Sequence, residues 1–209
     1  MPELGTLGLF ALAAAALIAV PGPNLIYIAT RSASEGRRSG LVSVLGVETG
    51  TAIFAIAAAA GLAAVLASSA VAFDVVKYAG AAYLVVLGVR ALTASGDGPD
   101  PDVEEAPSLW DAYRQGVLVQ LLNPKVALFF VAFLPQFTDP DRGSVATQIL
   151  VLGAVLALLG ACISSLYALG AAAAGSWLRE RRTGRGRRRW FTGGVYITLG
   201  LAAAISGRR

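Results

Sequence analysis

Three stretches of this 209-residue chain carry no charged side chain for 25 residues or more: residues 4–30, 49–73 and 143–178. About 20 mostly apolar residues cross the hydrocarbon of a bilayer as a helix. A soluble fold has no use for three such runs, so the sequence predicts an integral membrane protein. Its charged fraction, 14%, is well below the roughly 25% of an ordinary soluble domain. The absence of histidine removes the usual zinc ligand, proton shuttle and Ser-His-Asp chemistry. One cysteine, Cys162, excludes an internal disulfide or a thiol pair. No metal, cofactor or enzymatic activity is expected.

Six spans are read along the chain, at about 4–30, 40–66, 72–92, 113–137, 145–172 and 190–206. A polar turn at residues 31–39 and a short turn at Ser68 and Ser69 separate the first three. The stretch "TASGDGPDPDVEEAPSLWD", residues 93–111, marks a flexible extramembrane loop at about 94–112. The whole is one membrane domain, 1–209, with repeat one at about 4–93 and repeat two at about 113–206. A signal peptide at the N-terminus is disfavoured, because Glu3 replaces the positive leader region and the apolar run continues past Pro23.

Lysine and arginine set the orientation. The loops after spans 1, 3 and 5 hold twelve of them, and the other side holds four. The odd loops are therefore expected in the cytoplasm and both termini outside. The run "RERRTGRGRRR" reads as a topology signal that also meets anionic lipid, not as a nucleic-acid patch.

Two spans are broken. Span 1 contains "PGPN", Pro21 to Asn24, and span 4 contains "LLNPK", with Asn123, Pro124 and Lys125. Each break opens a set of three spans. Three is odd, so the second set enters the membrane in the opposite sense. The expectation is an all-α, polytopic protein with a 3+3 inverted repeat and discontinuous helices 1 and 4. Transporters of that plan bind cargo near the midplane at such interruptions. Pro21, Pro23 and Pro124 have no N–H for the carbonyls of Leu17, Ala19 and Gln120, which are expected to be open to cargo. Asn24 and Asn123 supply amides and can cap the restarting helices. Helix N-termini suit a carboxylate, and freed carbonyls suit an ammonium. A proline kink that only bends the helix explains one break better than it explains two matched ones.

Glu48 lies nine residues past the turn that ends at Ser39, about 14 Å along a helix and close to the midplane. A carboxylate there costs about 2.5–3.5 kcal/mol or more, so it is expected to be functional, paired or protonated. It is a candidate for the cargo ammonium or the coupling proton; pairing with Lys125 is the structural alternative. The candidate cargo residues are Pro21, Gly22, Pro23, Asn24, Gln120, Asn123, Pro124 and Lys125. Tyr27, Tyr83 and Phe129 are candidate path-lining aromatics. Asp74 and Lys77 read as a boundary pair.

"PGPN", "EGRRSGLVSVLGVETG", "VKYAGAAYLVVLGVRAL", "LLNPKVALFFVAFLPQF" and "GGVYITLGLAAA" together resemble the LysE-type amino-acid exporters, the lysine and homoserine/threonine efflux group with its RhtB subgroup. The resemblance covers residues 4 to about 205. It implies export of amino acids or related metabolites from the bacterial cytoplasm, across the plasma membrane, driven by the proton motive force. Glu48 is not part of that pattern. The other reading is an exporter of a different small solute or metal ion on a related scaffold. Expected partners are an amino acid, protons and membrane lipid, with no nucleic acid; small-residue helix faces permit a homodimer.

Overall fold

A computed structural model describes residues 2–61 and 108–181, together with Tyr78, Ala82, Val85, Val86, Val89 and Ile197. The expected spans 3 and 6, most of the acidic loop, the side chains of the arginine run, and Tyr83, Asp74 and Lys77 lie outside the described residues. Among the described residues there are six α-helices and no strand: α1 (Leu4–Ala19), α2 (Pro23–Glu35), α3 (Arg37–Ala59), α4 (Leu109–Leu121), α5 (Pro124–Leu128) and α6 (Val145–Arg181). After α5 the chain continues as one π-turn, Phe129–Phe133, and one 3-10 turn, Leu134–Phe137.

Two of these, α3 and the Val145–Ser176 part of α6, are each long and apolar enough to cross a membrane. The pairs α1–α2 and Leu109–Leu121 with Pro124–Phe137 are apolar enough when taken together and are bent by 56° and 48° at their breaks, the geometry of a broken span or of a re-entrant loop. Both interruptions thus stand where proline places them. Large apolar side chains such as Leu12, Leu158 and Leu166 point outward, 69–75% exposed, as a lipid-facing surface requires.

Two boundaries differ from the sequence reading. The polar turn expected over residues 31–39 is almost wholly helical. Glu35 accepts from Arg31 Nε at 2.9 Å and from Ser39 Oγ at 2.5 Å, so the polar residues brace the helices. The turn shrinks to Gly36, at φ 94°, a conformation open to glycine. At its other end α3 stops at Ala59 instead of about 66, because Gly61 turns the chain at φ 89°.

Lipid tails are as apolar as leucine, so helices in a bilayer hold together by close packing and polar contacts rather than by leaving water. That explains the glycines of α3. A Cβ on Gly50 would lie 2.7 Å from Gln120 Cβ, and one on Gly116 would lie 2.7 Å from the Ser43 carbonyl. Helices α3 and α4 therefore meet backbone to backbone. Apolar packing forms two groups. One joins Phe10 and Ala14 of α1 to Ala55, Phe130 and Leu152. The other joins Tyr27 and Ile28 of α2 to Val44, Val47, Val119 and Ala168. The breaks lie between the two.

Candidate functional site

At the first break α1 ends at Ala19, and Val20 and Gly22 are extended, with ψ 117° and −178°. Pro21 and Pro23 cannot donate backward, so the last carbonyls of α1 need partners from elsewhere. They have them. Lys125 Nζ donates to Leu17 O at 2.7 Å and to Val20 O at 2.8 Å. Tyr167 donates its hydroxyl proton to Ala19 O at 3.0 Å. The expectation that the Leu17 and Ala19 carbonyls stand open to cargo is therefore corrected: the protein's own ammonium and a phenol occupy them. Gly22 is buried under the lysine; a Cβ there would lie 3.4 Å from Lys125 Cδ.

Asn24 does not cap α2. Gly22 holds that position and Pro23 is the first helical residue. The Asn24 side chain instead accepts from the next N–H, Leu25, at 2.9 Å.

The second break satisfies itself locally. Asn123 caps α5, accepting from Lys125 N at 3.1 Å. The Gln120 carbonyl, freed by Pro124, takes the Asn123 N–H at 3.1 Å, so it too is not open. Asn123 is 1% exposed, and its Nδ2 has no partner among the described residues.

Both breaks face a cavity at mid-height. Glu48 is the twelfth of the 23 residues of α3, and Gly160 lies at the middle of the Val145–Ser176 stretch. The Glu48 carboxylate rests against the bare Cα of Gly160, where a Cβ would come within 2.6 Å of Oε1. Thr51, one turn along α3, donates to Val47 O at 3.3 Å and accepts Gln120 Nε2 at 2.7 Å. The wall is completed by Leu17 and Ile18 of α1, Asn24 of α2, and Lys125, Val126 and Phe129 beyond the second break. Leu156, Gly160 and Ser164 of α6 close it. The cavity volume is about 40 Å³. One water needs about 10–15 Å³ and several polar partners, so the space suits water or a small polar group.

Of the sequence candidates, Asn24, Glu48, Gln120, Lys125 and Phe129 come together here. Pro21, Pro23 and Pro124 shape the backbone around it, and Asn123 is not among its lining. Tyr27 is elsewhere: fully buried, it donates to Ala112 O at 2.8 Å. Glu48 and Lys125 share the cavity without an ion pair within 4.0 Å. Thr51, Gly160 and Ser164 went unread in the sequence. Their signal was helical spacing: Thr51 is three residues from Glu48, and Gly160 and Ser164 are four apart, hence on one face. No group of three or more His, Cys, Asp or Glu able to hold a metal occurs among the described residues.

Comparison with known proteins agrees with this architecture. Residues 15–207 match the model of the LysE type translocator family. The chain is 30% identical over 213 residues to an uncharacterized membrane protein of Pseudomonas aeruginosa, covering 99% of each. It is 29% identical over 184 residues to proteins named homoserine/homoserine lactone efflux protein in Salmonella typhi and Salmonella typhimurium, covering 88% of each chain. No solved structure matches. The chain belongs to the LysE type translocator family, a transporter family and not one of enzymes.

Proposed function

We propose that this protein is a secondary exporter of amino acids or related metabolites, with homoserine and its lactone as the first cargo to test, and that it exchanges cargo for protons. The observation that carries this is the meeting of both helix breaks with Glu48 at one cavity halfway along α3 and α6. A carboxylate at that depth needs a cation or a proton. In this reading it takes the cargo ammonium in one state and a proton in the other, which makes the two mutually exclusive and so couples their fluxes. Lys125 lines the same cavity, with two of its three N–H bonds already given to Leu17 and Val20. The surrounding organisation is part of the same reading: one membrane domain, two inverted repeats of three spans, odd loops in the cytoplasm, both termini outside, and lipid-facing small-residue surfaces that permit a dimer. The names of the Salmonella relatives support the choice of cargo.

A growth panel tests it. Cells that overproduce the protein are challenged with inhibitory amino acids and analogues, and those tolerated are then followed as labelled efflux with and without a protonophore. The expected result is efflux that collapses with the protonophore and is abolished in Glu48→Gln while the protein remains in the membrane. Undiminished efflux in Glu48→Gln contradicts the site.

A further inference from the structure

Among the described residues, the polar groups around the cavity form two sets, donors and acceptors, and they are unequally charged and unequally occupied. On the donor side, Lys125 has three N–H bonds and gives two of them to Leu17 and Val20. In the first turn of α2, Pro23 has no N–H, and that of Leu25 is taken by Asn24 Oδ1. Among the described residues no arginine lines the cavity, so they offer no two-pronged carboxylate fork; Asn24 and Ser164 add only neutral donors. On the acceptor side, the Glu48 carboxylate stands over Gly160. Gln120 is 4% exposed and spends its amide N–H on Thr51, at 2.7 Å. That leaves Gln120 Oε1 buried with no partner among the described residues. A buried carbonyl oxygen left unpaired is costly.

From this imbalance we propose that the site reads the amino end of its cargo and scarcely reads the carboxylate. A primary ammonium donates one N–H to Glu48 and a second to Gln120 Oε1. This rests on the export reading for the class of cargo and adds which end of the molecule is selected. A cargo without its ammonium leaves two buried acceptors unsatisfied, and sites built to make such bonds reject analogues that lack the partner. A cargo without its carboxylate forfeits little more than the last Lys125 N–H.

The test uses the purified full chain and homoserine cut at either end. 3-Aminopropan-1-ol keeps the ammonium and loses the carboxylate; 4-hydroxybutyrate does the reverse. At a few times the dissociation constant, homoserine and 3-aminopropan-1-ol are expected to raise the melting temperature by about 2–4 °C, and 4-hydroxybutyrate is not. Gln120→Leu, which removes the acceptor, abolishes the amine shift. Gln120→Glu keeps an acceptor oxygen but loses the N–H to Thr51, and it retains the shift; loss of the shift there assigns Gln120 a structural role and overturns the proposal. Stabilisation by 4-hydroxybutyrate, or none by the amine, also overturns it, whether or not homoserine is exported. An amine shift without homoserine efflux defeats the export reading and leaves this inference standing.

Discussion

The two helix breaks look alike in sequence and are built differently. At the second, the asparagine caps the restarting helix, and the carbonyl that proline frees is closed by an N–H three residues on. At the first, the asparagine sits inside the helix, and the freed carbonyls are reached by side chains from Lys125 and Tyr167, more than 100 residues away. One break is self-contained and the other is held from outside. Lys125, the residue that follows the second break, is what fills the first. The pair is complementary rather than equivalent, and the half-buried Lys125 ammonium ties the two breaks together beside the cavity.

That contrast ranks the substitutions. Lys125→Met has the largest effect, because it strips the part-buried Leu17 carbonyl and the exposed Val20 carbonyl of a charged partner. A hydrogen bond to a charged group is worth about 1.5–3 kcal/mol when buried, and these are only partly so, so a loss of about 2 kcal/mol is expected. In a melting experiment on the detergent-purified protein this is a fall of roughly 4–8 °C. Tyr167→Phe removes a single neutral bond to Ala19 and is expected to cost about 1 kcal/mol in the same assay. Asn123→Ala loses a helix cap, typically about 1 kcal/mol, but also removes a buried amide N–H group that has no partner among the described residues. Its net cost falls to about 0.5 kcal/mol. Asn24→Ala touches no cap and is expected to cost only a few tenths of a kcal/mol. If Asn24→Ala proves more damaging than Asn123→Ala, or Lys125→Met melts like the native protein, the two breaks do not differ in the way described.

Much of this plan was legible in the sequence. The uncharged run 143–178 located the long last described helix, proline located both breaks, and residue counting placed Glu48 midway along α3. These features are local or periodic, and a single stretch of chain contains them. The remainder depends on which helix lies beside which. Nothing near Pro21 announces that Lys125 takes the Leu17 carbonyl, because the contact exists only once the two broken spans meet. The same holds for Gly160, whose missing Cβ matters only because Glu48 arrives there from another helix. Residues 31–39 misled for a different reason. Polar composition suggested a turn, but arginine and glutamate four apart, with Ser39 on the same carboxylate, hold that stretch helical through to Gly36. The capping role expected of Asn24 failed because Pro23 begins the helix and leaves Gly22 as its cap.

The central claim is that cargo enters the cavity between the breaks. Ser164 lines that cavity, is 1% exposed, and carries no charge. Replaced by cysteine in a chain whose exposed Cys162 is changed to alanine, it gives a single thiol on the cavity wall. Labelling by a membrane-permeant thiol reagent is then timed with and without an amino acid that the protein exports. The account predicts labelling slowed tenfold or more by that amino acid. An unchanged rate in the presence of exported cargo would contradict it.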